Sequence, residues 1–181
     1  TIVAAYRRVI DLAPGYQPAQ QALGDTAVTW KQSIAGAMAE NDLERATTRL
    51  EEAQSVFESD PELTVLSLRL QNRFRAERLL ASTQSLLRSS GLSDEASAAA
   101  AVQAFEEILR ISPDHAAAAQ GLTDISKHYG ELAAQAAREG EVAQAIRLLQ
   151  RATAARSDLR ELDQVRRLIS EATSIQSAMA E

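Results

Sequence analysis

The chain has 181 residues, 45% of them apolar, 24% charged and only 4% aromatic, a balance that excludes wholesale disorder and leaves enough apolar side chain for a substantial core. Its formal charge of -6 works against nonspecific attraction to nucleic acid or anionic membrane, and the lack of cysteine removes disulfides, thiol chemistry and thiolate metal sites. Alanine, leucine, arginine, glutamate and glutamine dominate, with seven glycines and four prolines, so the bulk preference is helical.

Taken in chain order, the prolines punctuate amphipathic runs. Tyr6 to Leu12 ends ahead of Pro14, and Pro18 fits the first turn of a helix beginning near Tyr16. Leu23, Ala27, Trp30, Ile34, Ala37 and Met38 recur at helical steps, as do Leu43, Ala46, Leu50, Ala53, Val56 and Phe57. After Pro61 a long fourth helix carries Leu63, Leu66, Leu70 and Phe74, then Leu79, Leu80, Leu86 and Leu87. The runs 98–111, 116–138, 142–154 and 159–179 continue the pattern, and no stretch alternates as a strand would. Asp60-Pro61-Glu62 and Ser112-Pro113-Asp114 read as helix starts, and Ser93 or Asp94 can cap the helix that follows it.

No apolar run reaches the roughly 18 residues of a membrane span, so no direct membrane insertion is expected. The opening Thr1-Ile2-Val3-Ala4-Ala5-Tyr6 has neither an initiator methionine nor a secretory layout, and the chain starts inside a helical pattern. The expectation is therefore a single domain over 1–181 excised from a larger protein. Cytoplasm and periplasm are both compatible, and a bacterial origin rests only on the Arg/Ala-rich composition.

Several stretches share a layout. Ala134, Ala137, Gly140, Ala145, Leu149 and Ala152 set small residues against a large one across a tight turn. Ile34, Ala37, Asn41, Ala46, Leu50 and Ala53 do the same with one more residue before the turn. Ala101, Phe105, Ile108 and Pro113 reproduce the second half, as do Ile2, Tyr6, Val9 and Pro14. Such a unit packs two antiparallel helices closely on alanine and cannot bury its face alone, so copies stack.

The layout resembles the tetratricopeptide repeat, whose units end in small, large, small and proline at these spacings. The family unit has 34 residues, whereas Pro14 to Pro61 is 47 and Pro61 to Pro113 is 52, with the surplus in the first helices at 16–40 and 61–89. A helix of some 25 residues spans roughly 38 Å. The resemblance implies an all-α, right-handed superhelix of antiparallel helix pairs with elongated first helices, closed by a shielding helix from Ser157 to Glu181. Leu159, Leu162, Val165, Leu168, Ile169 and Ala172 would form its packed side. An unrelated closed helical bundle is the competing architecture.

The same resemblance implies partner binding on the surface made by first helices. Members that clamp a terminal carboxylate use Lys and Asn there. The matching positions here are Lys127, Gly130, Ala134 and Ala137 in one unit and Lys31, Ala35 and Met38 in the other, with the asparagines missing. Docking of a helix against a small-residue wall is the expectation instead. Trp30, Lys31, Met38, Arg69, Arg73 and Lys127 are the candidate partner-binding residues. Trp30 is a buried anchor for a partner or, more simply, inter-helix packing. Ala37, Ala46, Leu50, Ala53, Ala101, Phe105, Pro113, Gly140, Ala145, Leu149 and Ala152 are the packing set.

Nothing points to catalysis, a cofactor or a metal. His115 and His128 lie thirteen residues apart with no ligand at metal spacing, and read as a surface and a partly packed histidine. Glu51-Glu52, Glu106-Glu107 and Asp158 with Glu161 fall on polar faces, and the glycines are isolated. Arg69, Arg73, Arg75 and Arg78 crowd one helix but lack the broad basic field of a nucleic-acid binder. The expected function is protein–protein interaction or scaffolding with a protein or peptide partner, self-association included. The alternative is a spacer or dimerisation domain for a module outside this segment.

Overall fold

The structure, a computed structural model, describes residues 2–179. Among them the chain is all-α, with eight helices and no strand. These are α1 (Ile2–Leu12), α2 (Gln17–Ala39), α3 (Leu43–Val56), α4 (Pro61–Ser90), α5 (Glu95–Ile111), α6 (Ala116–Arg138), α7 (Val142–Ala155) and α8 (Glu161–Met179). Acidic caps fix three of the starts. The Arg45 N–H donates to Asp42 Oδ1 (3.0 Å), the Glu62 N–H to Asp60 Oδ1 (2.9 Å) and the Ser97 N–H to Asp94 Oδ2 (2.9 Å).

Two expected boundaries shift. Ser112-Pro113-Asp114 forms the turn before α6 rather than its start. His115 is the N-cap, and its Nδ1 accepts from the Ala118 N–H at 3.4 Å. The closing helix begins at Glu161 instead of near Ser157, because Arg156 folds onto Asp158 (2.7 Å) and holds that stretch in a bend. The last two residues of the expected closing helix, Ala180 and Glu181, lie outside the described residues, as does Thr1.

The chain divides into two compact units, Thr1–Arg75 and Ala76–Glu181. In the first, α1 packs on α2 and α2 on α3. Its core joins Ile34, Ala37, Ala46, Leu50 and Ala53 to Leu63, Leu66 and Leu70 of α4, with Trp30 and Met38 half-buried against it. In the second, α6 packs on α5, α7 and α8. One core gathers Ala76, Ala101, Phe105, Ile108, Ala118, Ile125, Tyr129 and Leu162; another gathers Ala133, Ala136, Ala145, Val165 and Ile169. Alanine recurs at these contacts because its small side chain lets two helix backbones approach. Gly121 extends that logic to its limit, since a Cβ there would sit 2.5 Å from two ring carbons of Phe105.

Positions 99 apart, such as Pro14 and Pro113, carry the same local structure. Helices α2 and α6 have 23 residues each, and α3 and α7 have 14 each. The α2–α3 turn is tied by Glu40 N–H to Gly36 O, Asn41 N–H to Met38 O and Asp42 N–H to Ala37 O. Glu139 N–H to Gln135 O, Gly140 N–H to Ala137 O and Glu141 N–H to Ala136 O tie the α6–α7 turn at the same offset. Asn41 (φ 58°) and Gly140 (φ 79°) both take the left-handed conformation that ends a helix. The turns before α2 and α6 match likewise, with Tyr16 N–H to Ala13 O and His115 N–H to Ser112 O.

This register corrects the sequence alignment by one residue: Ile34 corresponds to Ala133, not Ala134, and both are fully buried. The alanine-rich stretch 133–137 offers two frames to a pattern of small residues, and only the backbone bonds choose between them.

Candidate functional site

The site grows from the starts of α4 and α8. In the first unit the turn after α3 brings Asp60 and Glu62, at the head of α4, beside Lys31 of α2. Lys31 Nζ lies 2.6 Å from Asp60 Oδ2 and 2.7 Å from Glu62 Oε2. The hydrogen bond to Asp60, then that to Glu62, raises the Lys31 pKa, while the Lys31 ammonium holds the Asp60 carboxyl below its ordinary value. Beside this bridge, α2 and α4 wall a groove of about 410 Å³ lined by Gln32, Ala35, Val65, Leu66 and Arg69. Arg69 is exposed and makes no ion pair among the described residues.

The second unit carries a counterpart between α6 and α8, about 290 Å³ in size. Glu131 and Ala134 of α6, with Glu161, Gln164, Val165 and Leu168 of α8, line it. These are the positions of Gln32, Ala35, Glu62, Val65, Leu66 and Arg69 displaced by 99. Gly130 stands where Lys31 would be, and a Cβ there would already meet Leu162 Cδ2 at 3.0 Å. The lysine sits one turn earlier, at 127, with its Nζ 3.9 Å from Glu161 Oε1. The two lysines of the chain therefore reach equivalent glutamates, Glu62 and Glu161, from positions one helical turn apart. A position-by-position sequence comparison does not show this, because the lysines do not align.

Of the candidate partner-binding residues, the structure brings Lys31 and Arg69 into one groove and places Lys127 in the other. Trp30 and Met38 pack against the first core. Arg73 is half-buried, one turn beyond Arg69. Among the packing set, Ala37, Ala46, Leu50, Ala53, Ala101, Phe105, Ala145 and Ala152 are buried and Leu149 is partly so; Pro113 and Gly140 lie exposed in turns.

His115, read as surface or partly packed, is 6% exposed. Its Nδ1 accepts at the α6 cap, and its Nε2 lies 3.4 Å from Glu77 Oε1 without forming a hydrogen bond. Of the paired carboxylates, Glu52 meets Arg49 (3.2 Å), Glu107 takes a fork from Arg110 (2.7 and 2.8 Å), and Asp158 holds Arg156. Tyr129 donates to Leu92 O (2.8 Å), and burial pushes its phenol pKa up. Among the described residues no group of three or more His, Asp or Glu is placed to hold a metal ion, and no helix is long and apolar enough to cross a membrane.

Fold and site together define an all-α protein in which one pair of surface grooves is built from matching positions. Its sequence matches no protein-family model, and comparison with curated proteins and with solved structures found no match either.

Proposed function

We propose that this chain is a non-catalytic scaffold of antiparallel helix pairs, arranged as a superhelix resembling tetratricopeptide repeats. In this reading it docks a segment of a partner protein in the grooves between first helices, α2 with α4 and α6 with α8. One observation carries the reading: two grooves are built from matching positions, each with a small-residue floor and charged ends. The hydrogen-bond match at an offset of 99 supports a stacked unit of two helix pairs over two unrelated hairpins. Small residues keep the groove open, aliphatic side chains offer area to bury, and the charged ends orient what enters.

A photo-crosslinking residue at Gln32 or Glu131, on the groove walls, tests this against Glu51 and Gln150, exposed on α3 and α7. In an extract of the source cells, a product formed at the groove positions and absent at the other two is expected. The same products from all four positions would refute groove docking.

A further inference from the structure

We infer that the α2–α4 groove, and not its α6–α8 counterpart, takes a partner segment whose apolar side chains are followed by a carboxylate. The inference rests on the docking reading above and names the chemistry of the occupant. Because the two grooves share backbone positions, residues that differ between them are not dictated by the fold. Three such positions turn apolar in the first unit: Val65, on the groove wall, where the second has Gln164; Leu68, three residues along α4 from it, where the second has Arg167; and Val28, three residues before Lys31 on α2, where the second has Lys127. Val28 is 50% exposed, Val65 49% and Leu68 59%. Polar residues serve the same positions in the second unit, so the fold does not require aliphatic side chains facing water there. A line of such residues beside a groove is the mark of a surface that something covers.

Charge supplies the other half of the recognition. Lys31 is committed to Asp60 and Glu62. Arg69 lines the same groove seven residues along α4 from Glu62, about 10 Å by helical rise, and it has no ion pair among the described residues. Its counterpart in the second groove is Leu168, which packs against the core. An unpaired guanidinium at the end of an apolar groove is complementary to a carboxylate, which it can hold with two parallel hydrogen bonds. The occupant is thus a short amphipathic segment. Its leucine-like side chains lie against Val65, Leu66 and Leu68, and an Asp or Glu reaches Arg69.

Selection of a random-peptide display library on the full chain tests this, followed by fluorescence anisotropy with the selected peptides after synthesis and labelling. Peptides with spaced apolar residues followed by Asp or Glu are expected, with affinity falling about tenfold for Arg69→Glu and for Leu68→Asp. Both side chains are exposed, so circular dichroism should show both variants folded. Arg138 lines the α6–α8 groove, so a dependence on Arg138→Glu instead would move the site there, which overturns this assignment and leaves the docking reading standing. Binding indifferent to all three substitutions, or no enriched peptide at all, would overturn both. A dimer of the full chain that Leu68→Asp dissociates would give the face to a second copy and also overturn the assignment.

Discussion

Replacing Gly121 with alanine should destabilise the protein, although the same change elsewhere in a helix does the opposite. Alanine inside an exposed helix is worth about 0.5–1 kcal/mol over glycine. At Gly121 the new methyl would stand 2.5 Å from Phe105 Cε2 and Cζ and 3.0 Å from Cδ2, whereas carbon atoms rest about 3.5–4 Å apart. The ring cannot simply swing away, since Phe105 is 2% exposed and packed with Ile108, Ile125 and Tyr129. Overpacking of this kind costs about 1–3 kcal/mol, so the net loss is about 1 kcal/mol after the gain in helix propensity. Thermal and urea unfolding followed by circular dichroism would read this as a fall of about 2–4 °C in Tm. Gly36→Ala, in α2 with nothing within 4 Å of its added methyl, should raise stability by about 0.5–1 kcal/mol. In a Phe105→Leu background the Gly121→Ala penalty should shrink or change sign, giving a coupling of about 1 kcal/mol. A Gly121→Ala variant as stabilised as Gly36→Ala would show that α5 and α6 do not approach as described.

The Lys31 bridge should give the first unit a pH dependence that Lys31→Met removes. Asp60 has a lowered pKa in the fold, so its contribution is present at neutral pH and lost as pH falls through that lowered value. Lys31 has a raised pKa, so its contribution is lost as pH rises through that raised value. Melting curves across the pH range should show the wild type more stable than Lys31→Met by about 1 kcal/mol at neutral pH, converging at both extremes; a constant difference would refute the pairing. Gly140→Ala should cost about 1 kcal/mol in chemical denaturation because its φ of 79° is left-handed. Gly140→Asn should recover most of that, as Asn41 holds the equivalent position at φ 58°, and equal stability of the two variants would refute the equivalence.

Much of the helical layout was legible in the sequence because its punctuation is chemically explicit. Pro14 and Pro61, with the acids at 42, 60 and 94, mark where helices stop and start, and the run 116–138 coincides with α6. The start of α6 misled because Ser112-Pro113-Asp114 has the residue types of a helix start, yet these residues form the preceding turn and His115 takes the cap. The grooves were harder to read. Arg69 and Arg73 look equivalent at a four-residue step, but one is exposed along a groove and the other is half-buried. Lys31 and Lys127 occupy unlike register positions, and their common partner position, Glu62 or Glu161, exists only once α4 and α8 are folded against the preceding helix pair.

With 17 arginines and no third lysine, the chain confines its side-chain primary amines to the rims of its two clefts. Amine acylation on side chains therefore reports on those rims. The two amines should differ in reactivity. Lys31 is 21% exposed and pinned between two carboxylates, whereas Lys127 is 49% exposed and leans on one at 3.9 Å. Acylation at 127 leaves Glu161 without its cation at little structural cost; at 31 it removes the cation that ties α2 to both acids at the head of α4.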